Sequence, residues 1–311
     1  MDWSDRIGRR LKPRDLHVFL AVAEKGNMAK AAEQLAISRP VVSKTIAGLE
    51  HALGVRLLDR TARGVEPTIY GRALLSRSLA VFDELRQSVK DIEFLSDPGT
   101  GDLRVGFGEV PAAGFVPAAI DRLARRYPRM RVTTEQGGFD TLLDFLRQRR
   151  CEVVVTRMLS RAPDMHSEPL HYDQLFVVVG ARSKWARQRR ISLAQLADAP
   201  WVQAPPEMAD GSPTLEAFHA LGLQGPQVVV SSSSLNIRYA LLATGRYVTM
   251  IPDSVLHYGA PRGGIRILPI RLPRWHVPTS VITLRDRSLS PLAKLYIDTL
   301  HELARPFRNA K

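Results

Sequence analysis

NMAKAAEQLAISRPVVSKTIAGLE, residues 27–50, divides into two short helices joined by a tight turn. Ala32, Leu35 and Ile37 are apolar at spacings that place them on one side of the first helix and its exit. Ser38 stands where an N-cap belongs, since its hydroxyl suits an otherwise orphaned first-turn amide. Pro40 follows inside the first turn, where a missing N–H costs nothing. Beyond it, Val42, Ile46, Leu49 and Leu53 recur at helical spacing and form a single stripe for burial. The opposite face carries Arg39, Ser43, Lys44 and Ala47. A helix with one packed stripe and such a face fits a DNA major groove: the cations reach guanine acceptors and phosphates, and small residues allow close approach. The same spacing also describes any amphipathic helix pair, so the neighbouring segments decide.

Upstream, RDLHVFLAVAEK (14–25) predicts a first helix with Leu16, Phe19, Leu20 and Val22 or Ala23 inward, closed by Gly26. Downstream, VRLLDRTARGVEPTIY (55–70) predicts a short hairpin, with Arg60 and Arg63 beside a tip at 62–64 and an exit at Pro67–Thr68. Three helices and a basic wing make an all-α winged helix-turn-helix N-terminal domain over 14–71. A long helix then runs to about Leu95. Leu74, Ser78, Val81, Leu85, Ser88, Ile92 and Leu95 alternate at spacings of four and three, a heptad seam. That face needs covering, and helix–helix dimerisation covers it better than so small a wing domain does. Residues 72–96 are accordingly read as a dimerising linker helix and hinge, ended by Ser-Asp-Pro-Gly-Thr-Gly (96–101).

From Leu103 strands and helices alternate, which indicates an α/β domain with a mainly parallel sheet. A strand–helix–strand–helix–strand unit is read twice, around 103–156 and again in 175–252. Two such halves leave a cleft lined by loops at the carboxyl ends of strands. The expected boundaries are 97–311 for the whole, with lobe 1 at about 102–162 and 271–311 and lobe 2 at about 163–270. Glu109, Val110, Pro111, Gly138, Phe139, Thr156 and Met158 are expected to face the cleft from one half, and Gln203, Pro205, Ser232, Ser234 and Met250 from the other. The run Ser231–Ser234 offers hydroxyls and helix N-terminal amides to an anionic or polyhydroxy ligand, although simple N-capping needs only one of the four.

Composition narrows the class. The 311 residues carry a formal net charge of +13. Residues 1–72 hold 13 basic and 8 acidic side chains and residues 99–311 hold 28 and 18, so the excess is not concentrated near the candidate DNA helix. One cysteine, Cys151, excludes an internal disulfide and a multi-cysteine zinc site; a structural thiol fits it better than a reactive one. No run approaches the roughly 18 apolar residues of a membrane span, and the charged MDWSDRIGRRLKPRD start is not a secretory signal, so a cytoplasmic protein is expected. Gly106 and Gly108 follow a strand, but a third glycine comes only at 114, which breaks the dinucleotide fingerprint. There is no Gly-x-Ser-x-Gly elbow and no histidine pair at zinc spacing beside a carboxylate. No catalytic residue, metal or cofactor is expected.

The first 70 residues resemble the LysR-type transcriptional regulators through Ala32, Leu35, Ser38, Pro40, Val42, Ser43, Ile46, Leu49, Glu50, Leu53, Gly54, Leu57, Arg60, Thr68 and Gly71. The order of the remaining parts agrees with that family over the whole chain. The resemblance implies a reading head, a dimerising linker helix, and a two-lobed α/β effector domain of periplasmic-solute-binding-protein type. It also implies a homodimer or homotetramer on double-stranded operator DNA with an interrupted palindrome, a small metabolite effector, and RNA polymerase as partner when the regulator activates. On this reading Ser38, Arg39, Pro40, Ser43 and Lys44 face the groove, while Asn27, Arg60, Arg63 and Thr68 take phosphate or minor-groove contacts. The chain departs from the family at Arg39, commonly Gln; at Val41 and Leu58, packing changes; and at Pro67, which is expected to end the wing strand early. The rival from another class is a solute-binding protein whose N-terminal helices only mediate oligomerisation.

Overall fold

The computed structural model describes residues 11–61, 64–157, 162–259, 264–270, 272 and 278–308, with the backbone alone at Arg60 and Arg308. The chain divides into two compact units, Met1–Val89 and Lys90–Lys311.

The first unit holds α1 (Pro13–Lys25), α2 (Met28–Gln34), α3 (Arg39–Leu53), β1 (Leu58–Thr61), β2 (Gly64–Pro67) and most of α4 (Ile69–Ser96). Its core joins Val18, Phe19 and Val22 of α1 to Ala31 and Ala32 of α2, the α3 stripe Val42, Ile46 and Leu49, and Leu57 and Leu58 at the start of the wing. Leu53, expected in that stripe, is half-buried at its edge. The wing is an antiparallel hairpin in which Leu58 faces Pro67 and Thr61 faces Gly64. β2 includes Pro67 as its last residue, so the expected early stop falls after that proline. Two glycines make the head compact. Gly64, at φ +136°, lets the Val65 amide donate to the Gly26 carbonyl at 2.9 Å, and a Cβ there would lie 2.2 Å from the same oxygen. Gly71 brings the first turn of α4 against the wing, where a Cβ would lie 2.0 Å from the Leu57 carbonyl oxygen. Early in α4, Leu74 and Leu75 pack on the core; further along, Val81, Leu85, Val89, Ile92 and Leu95 are exposed in the single chain.

The second unit contains two five-stranded sheets. β3 (Thr100–Phe107), α5 (Glu109–Ala112), α6 (Phe115–Arg126), β4 (Arg129–Gln136), α7 (Phe139–Arg147), β5 (Val153–Arg157) and β6 (Met165–His171) begin the first lobe. The second lobe contains β7 (Leu175–Gly180), β8 (Trp201–Gln203), α8 (Pro213–His219), β9 (Val228–Ser231), α9 (Leu235–Ala243), β10 (Val248–Pro252), α10 (Asp253–Tyr258) and β11 (Ile265–Ile267). The chain then returns as β12 (Thr279–Leu284) and α11 (Pro291–Arg308). Tyr296 and Leu300 of α11 are buried with Leu103, Val105 and Phe115, which places the last helix in the first lobe.

The sheets run β4-β3-β5-β12-β6 and β9-β8-β10-β7-β11. Both are mixed rather than mainly parallel as expected: β3, β4 and β5 are parallel, as are β8, β9 and β10, while β12 and β7 pair antiparallel to their neighbours. A strand such as LFVVVG, covered on both faces, has the same apolar pattern in either orientation. The two orders correspond strand for strand, so the second repeat begins at Trp201, not at 175. Residues 165–171, expected in the second lobe, form the outer strand of the first sheet. Pro169 is tolerated there because an edge strand can spare an N–H. The segment after β3 holds the short helix α5, and Ala194–Leu196 forms a single 3-10 turn.

Candidate functional site

On the reading head, Ser38, Arg39, Pro40, Lys44 and Ala47 are exposed and Ser43 is half-exposed, so the α3 face opposite the buried stripe is open. Neither Arg39 nor Lys44 has an ion pair among the described residues. Ser38 occupies the N-cap position in extended backbone, but its hydroxyl makes no cap bond, contrary to expectation. Without a side-chain cap, the first-turn amides of α3 stay available to a phosphate, which a helix N-terminus favours electrostatically. Asn27 caps α2: its Oδ1 accepts from the Ala29 and Lys30 amides at 2.8 and 3.2 Å. Thr68 is similarly engaged, donating to the Arg56 carbonyl at 2.7 Å and accepting from the Gly71 amide at 3.0 Å. Both residues therefore set the local backbone whatever else they touch. The Arg60 side chain and Arg63 lie outside the described residues.

Glu50 has a role that spacing alone does not disclose. Its Oε1 accepts from the Leu57 and Leu58 amides at 2.7 and 3.2 Å, tying the end of α3 to the start of the wing.

In the second unit a cleft of about 420 Å³ lies between the lobes. The first lobe contributes Gly108, Glu109, Val110 and Pro111 at the start of α5, Gln136 to Phe139 leading into α7, and Thr156 and Arg157 at the end of β5. The second contributes Ala204, Pro206, Glu207, Ser233, Leu235, Arg238 and Pro252. Of the expected residues, Glu109, Val110, Pro111, Gly138, Phe139 and Thr156 line this cleft. Met158 lies outside the described residues. Gln203, Pro205, Ser232, Ser234 and Met250 do not line it, and their neighbours Ala204, Pro206, Ser233 and Pro252 do. The reason is local. Gln203 and Met250 are fully buried in their strands, and the Met250 sulfur accepts from the Thr214 hydroxyl at 3.2 Å. Ser232 and Ser234 accept the Ser234 and Ile237 amides at 3.2 and 3.4 Å, leaving Ser233 to face the space.

Four charged side chains line the cleft. Arg238, buried, pairs with buried Glu207 at 3.0 Å and donates to the Ser232 and Met250 carbonyls, both at 3.2 Å. Glu207 in turn accepts the Ala204 amide at 3.0 Å. Arg157 pairs at 3.2 Å with Asp173, which is fully buried and also accepts from Ser254 and Thr279 at 2.8 and 3.1 Å. Glu109 accepts the Leu235 amide across the cleft at 2.7 Å and is hydrogen-bonded to the Gln136 side-chain amide. An arginine in the mostly apolar helix LNIRYALLA is the one available signal for Arg238.

His171, Asp173 and Asp253 offer ligand atoms within 4.8 Å of one another. Asp173 already meets Arg157 and two hydroxyls, and His171 contacts Asp253 at 2.9 Å, so the cluster is a satisfied network beside the 172–174 crossover. Burial in the first lobe pushes the Cys151 thiol up to about 11, which makes it a packed, unreactive group.

Residues 13–72 match the family model described as bacterial regulatory helix-turn-helix protein, lysR family, and residues 96–305 match LysR substrate binding domain. The SDS degradation transcriptional activation protein of a Pseudomonas species is 30% identical over 90% of this chain and 92% of its own length. The regulator TfdS of Cupriavidus pinatubonensis is 30% identical over 92% and 96%. Among solved structures, full-length CbnR complexed with its target DNA superposes with a TM-score of 0.55 at 24% identity, covering 94% of this chain and 100% of that one.

Proposed function

Because this chain belongs to the LysR family of transcriptional regulators, with a helix-turn-helix DNA-binding domain and an effector-binding domain, we propose the following division of labour. Ser38, Arg39, Pro40, Ser43 and Lys44 present the groove-reading surface of α3, and Asn27, Arg60, Arg63 and Thr68 contact phosphate or the minor groove. The operator is double-stranded and two-fold related, because two copies joined through the exposed α4 face present two reading heads. The working assembly in the cytoplasm is a homodimer or homotetramer, and RNA polymerase is its partner when it activates. A small metabolite binds between the lobes against Glu109, Val110, Pro111, Phe139, Thr156, Ser233 and Arg238. Its binding changes the arrangement of protomers on DNA, which requires a coupling of roughly 1–3 kcal/mol between the two sites.

One observation carries this reading: the α3 face opposite its core stripe exposes Arg39 and Lys44, with no ion pair to either among the described residues. Fluorescence anisotropy with duplex DNA from the region upstream of this protein's own gene tests it. Tight, salt-sensitive binding that unrelated DNA of equal length does not match supports the proposal. Equal binding to both duplexes returns the chain to the rival role, in which the N-terminal helices only mediate association.

A further inference from the structure

Among the described residues, the cations that line the cleft are committed. Arg238 holds Glu207 and two carbonyls, and Arg157 holds Asp173. Glu109 differs: among the described residues it is met by two neutral donors, the Gln136 side-chain amide in its own lobe and the Leu235 backbone amide in the other. Leu235 is the first residue of α9, a nine-residue helix, so its N–H sits at the positive end of a helix dipole. Glu109 therefore places an internal carboxylate where an incoming acid would find its best donor, and the same bond ties one lobe to the other.

We infer that Glu109 is a specificity-determining residue of the effector cleft, filling the acid-binding position from within. Through it the cleft takes uncharged or cationic ligands bearing N–H or O–H donors and turns carboxylates away. The inference rests on the reading of this cleft as the effector site. An entering carboxylate meets a like charge in a confined space, and the two donors that would hold it are already taken. A ligand with donors meets the opposite situation. A carboxylate has about four lone-pair sites, and Glu109 uses two, so a hydroxyl, ammonium or amide can bind it without breaking the bond between the lobes. The apolar remainder of the wall, Val110, Pro111, Phe139, Pro206 and Pro252, suits the carbon frame of such a molecule.

Hydrogen exchange measured by mass spectrometry on the full-length chain tests this at the Leu235 amide, with acetate as the probe acid. Glu109→Ser should speed exchange there by about tenfold, the loss of one charge-assisted hydrogen bond, whereas Glu109→Gln keeps an acceptor and should stay within about threefold of the unaltered protein. Acetate in place of chloride at equal ionic strength should restore protection in Glu109→Ser and leave the unaltered protein unchanged. The assignment is overturned if acetate raises protection in the unaltered protein, if Glu109→Ser exchanges like the unaltered protein, or if acetate fails to protect Glu109→Ser. Upstream-DNA binding by the unaltered chain is scored separately. Its loss removes the regulator reading, while failure of the exchange result alone removes only the role of Glu109.

Discussion

Replacing Glu50 tests how the reading helix and the wing are held as one piece. Its Oε1 takes the Leu57 and Leu58 amides at 2.7 and 3.2 Å, and those two residues are 1% and 7% exposed, so water replaces neither bond easily. Leaving a buried donor unmet costs about 1–3 kcal/mol. With one of the two bonds long, Glu50→Ala should cost the head about 2–4 kcal/mol. Glu50→Gln keeps the accepting oxygen and loses charge assistance, and should cost about 1 kcal/mol. For a unit of this size each kcal/mol moves the midpoint by about 4–8 °C, so the alanine variant should melt roughly 8–32 °C lower. A two-unit chain does not unfold in one step, so the head is followed locally, by hydrogen exchange of peptides covering residues 55–61. DNA affinity should fall in the same order, alanine below glutamine. An alanine variant within about 0.5 kcal/mol of the unaltered protein, or a glutamine variant as damaged as alanine, would show that the Glu50 carboxylate does not hold the wing to α3.

Four further outcomes are expected. Lys44→Ala should weaken binding to all DNA sequences and lower the salt slope by about 0.9 for each phosphate it no longer neutralises, read from anisotropy across a salt series. Arg39→Gln should change base preference at one position of each half-site in a binding-site selection, because the guanidinium discriminates guanine by about 1–3 kcal/mol; an unchanged consensus removes that role. Arg238→Met leaves buried Glu207 without its cation and should cost about 3–5 kcal/mol in denaturant unfolding, whereas adding Glu207→Gln should recover much of the loss. Cys151 should resist alkylation in the native protein at pH 8. Since the folded chain keeps this proton to about pH 11 while the unfolded thiol releases it near 9, stability should fall as pH rises between those values. Cys151→Ser should flatten that part of the profile.

What is legible in the sequence, and what is not, follows from how far each signal reaches along the chain. The head is built from neighbours: caps, a 3.6-residue stripe and a glycine after α1 announce themselves within a few positions, and α1 starts within one residue of where the pattern puts it. Sheet order is different. β12 inserts between β5 and β6 from more than 100 residues away, and nothing in TSVITL distinguishes a parallel from an antiparallel partner. MHSEPLH escapes a pattern search because a polar strand containing proline is legible only once it is known to be an edge. In the cleft the loops are legible but several side chains fall one position away from the expected ones, since a single step in a strand or turn exchanges the buried face for the open one, as Gln203 and Ala204 illustrate. Glu109 stands at the cleft as its loop suggests, yet its partner Leu235 lies 126 positions away, beyond any local pattern.

On the proposed function, the cleft between the lobes governs how the reading head engages DNA. It is tested most directly by one titration. A metabolite library is screened by thermal shift on the full chain, where a ligand at about 100 times its dissociation constant adds about 2.7 kcal/mol of stability. The best stabiliser is then titrated into the protein on upstream DNA, and operator affinity is read by anisotropy. A change of about 5- to 150-fold is expected, and Phe139→Trp, whose larger ring narrows the cleft, should reduce it together with the stabilisation. A ligand that stabilises the chain equally with Trp at 139, or one that saturates the cleft and leaves operator binding unaltered, would contradict it.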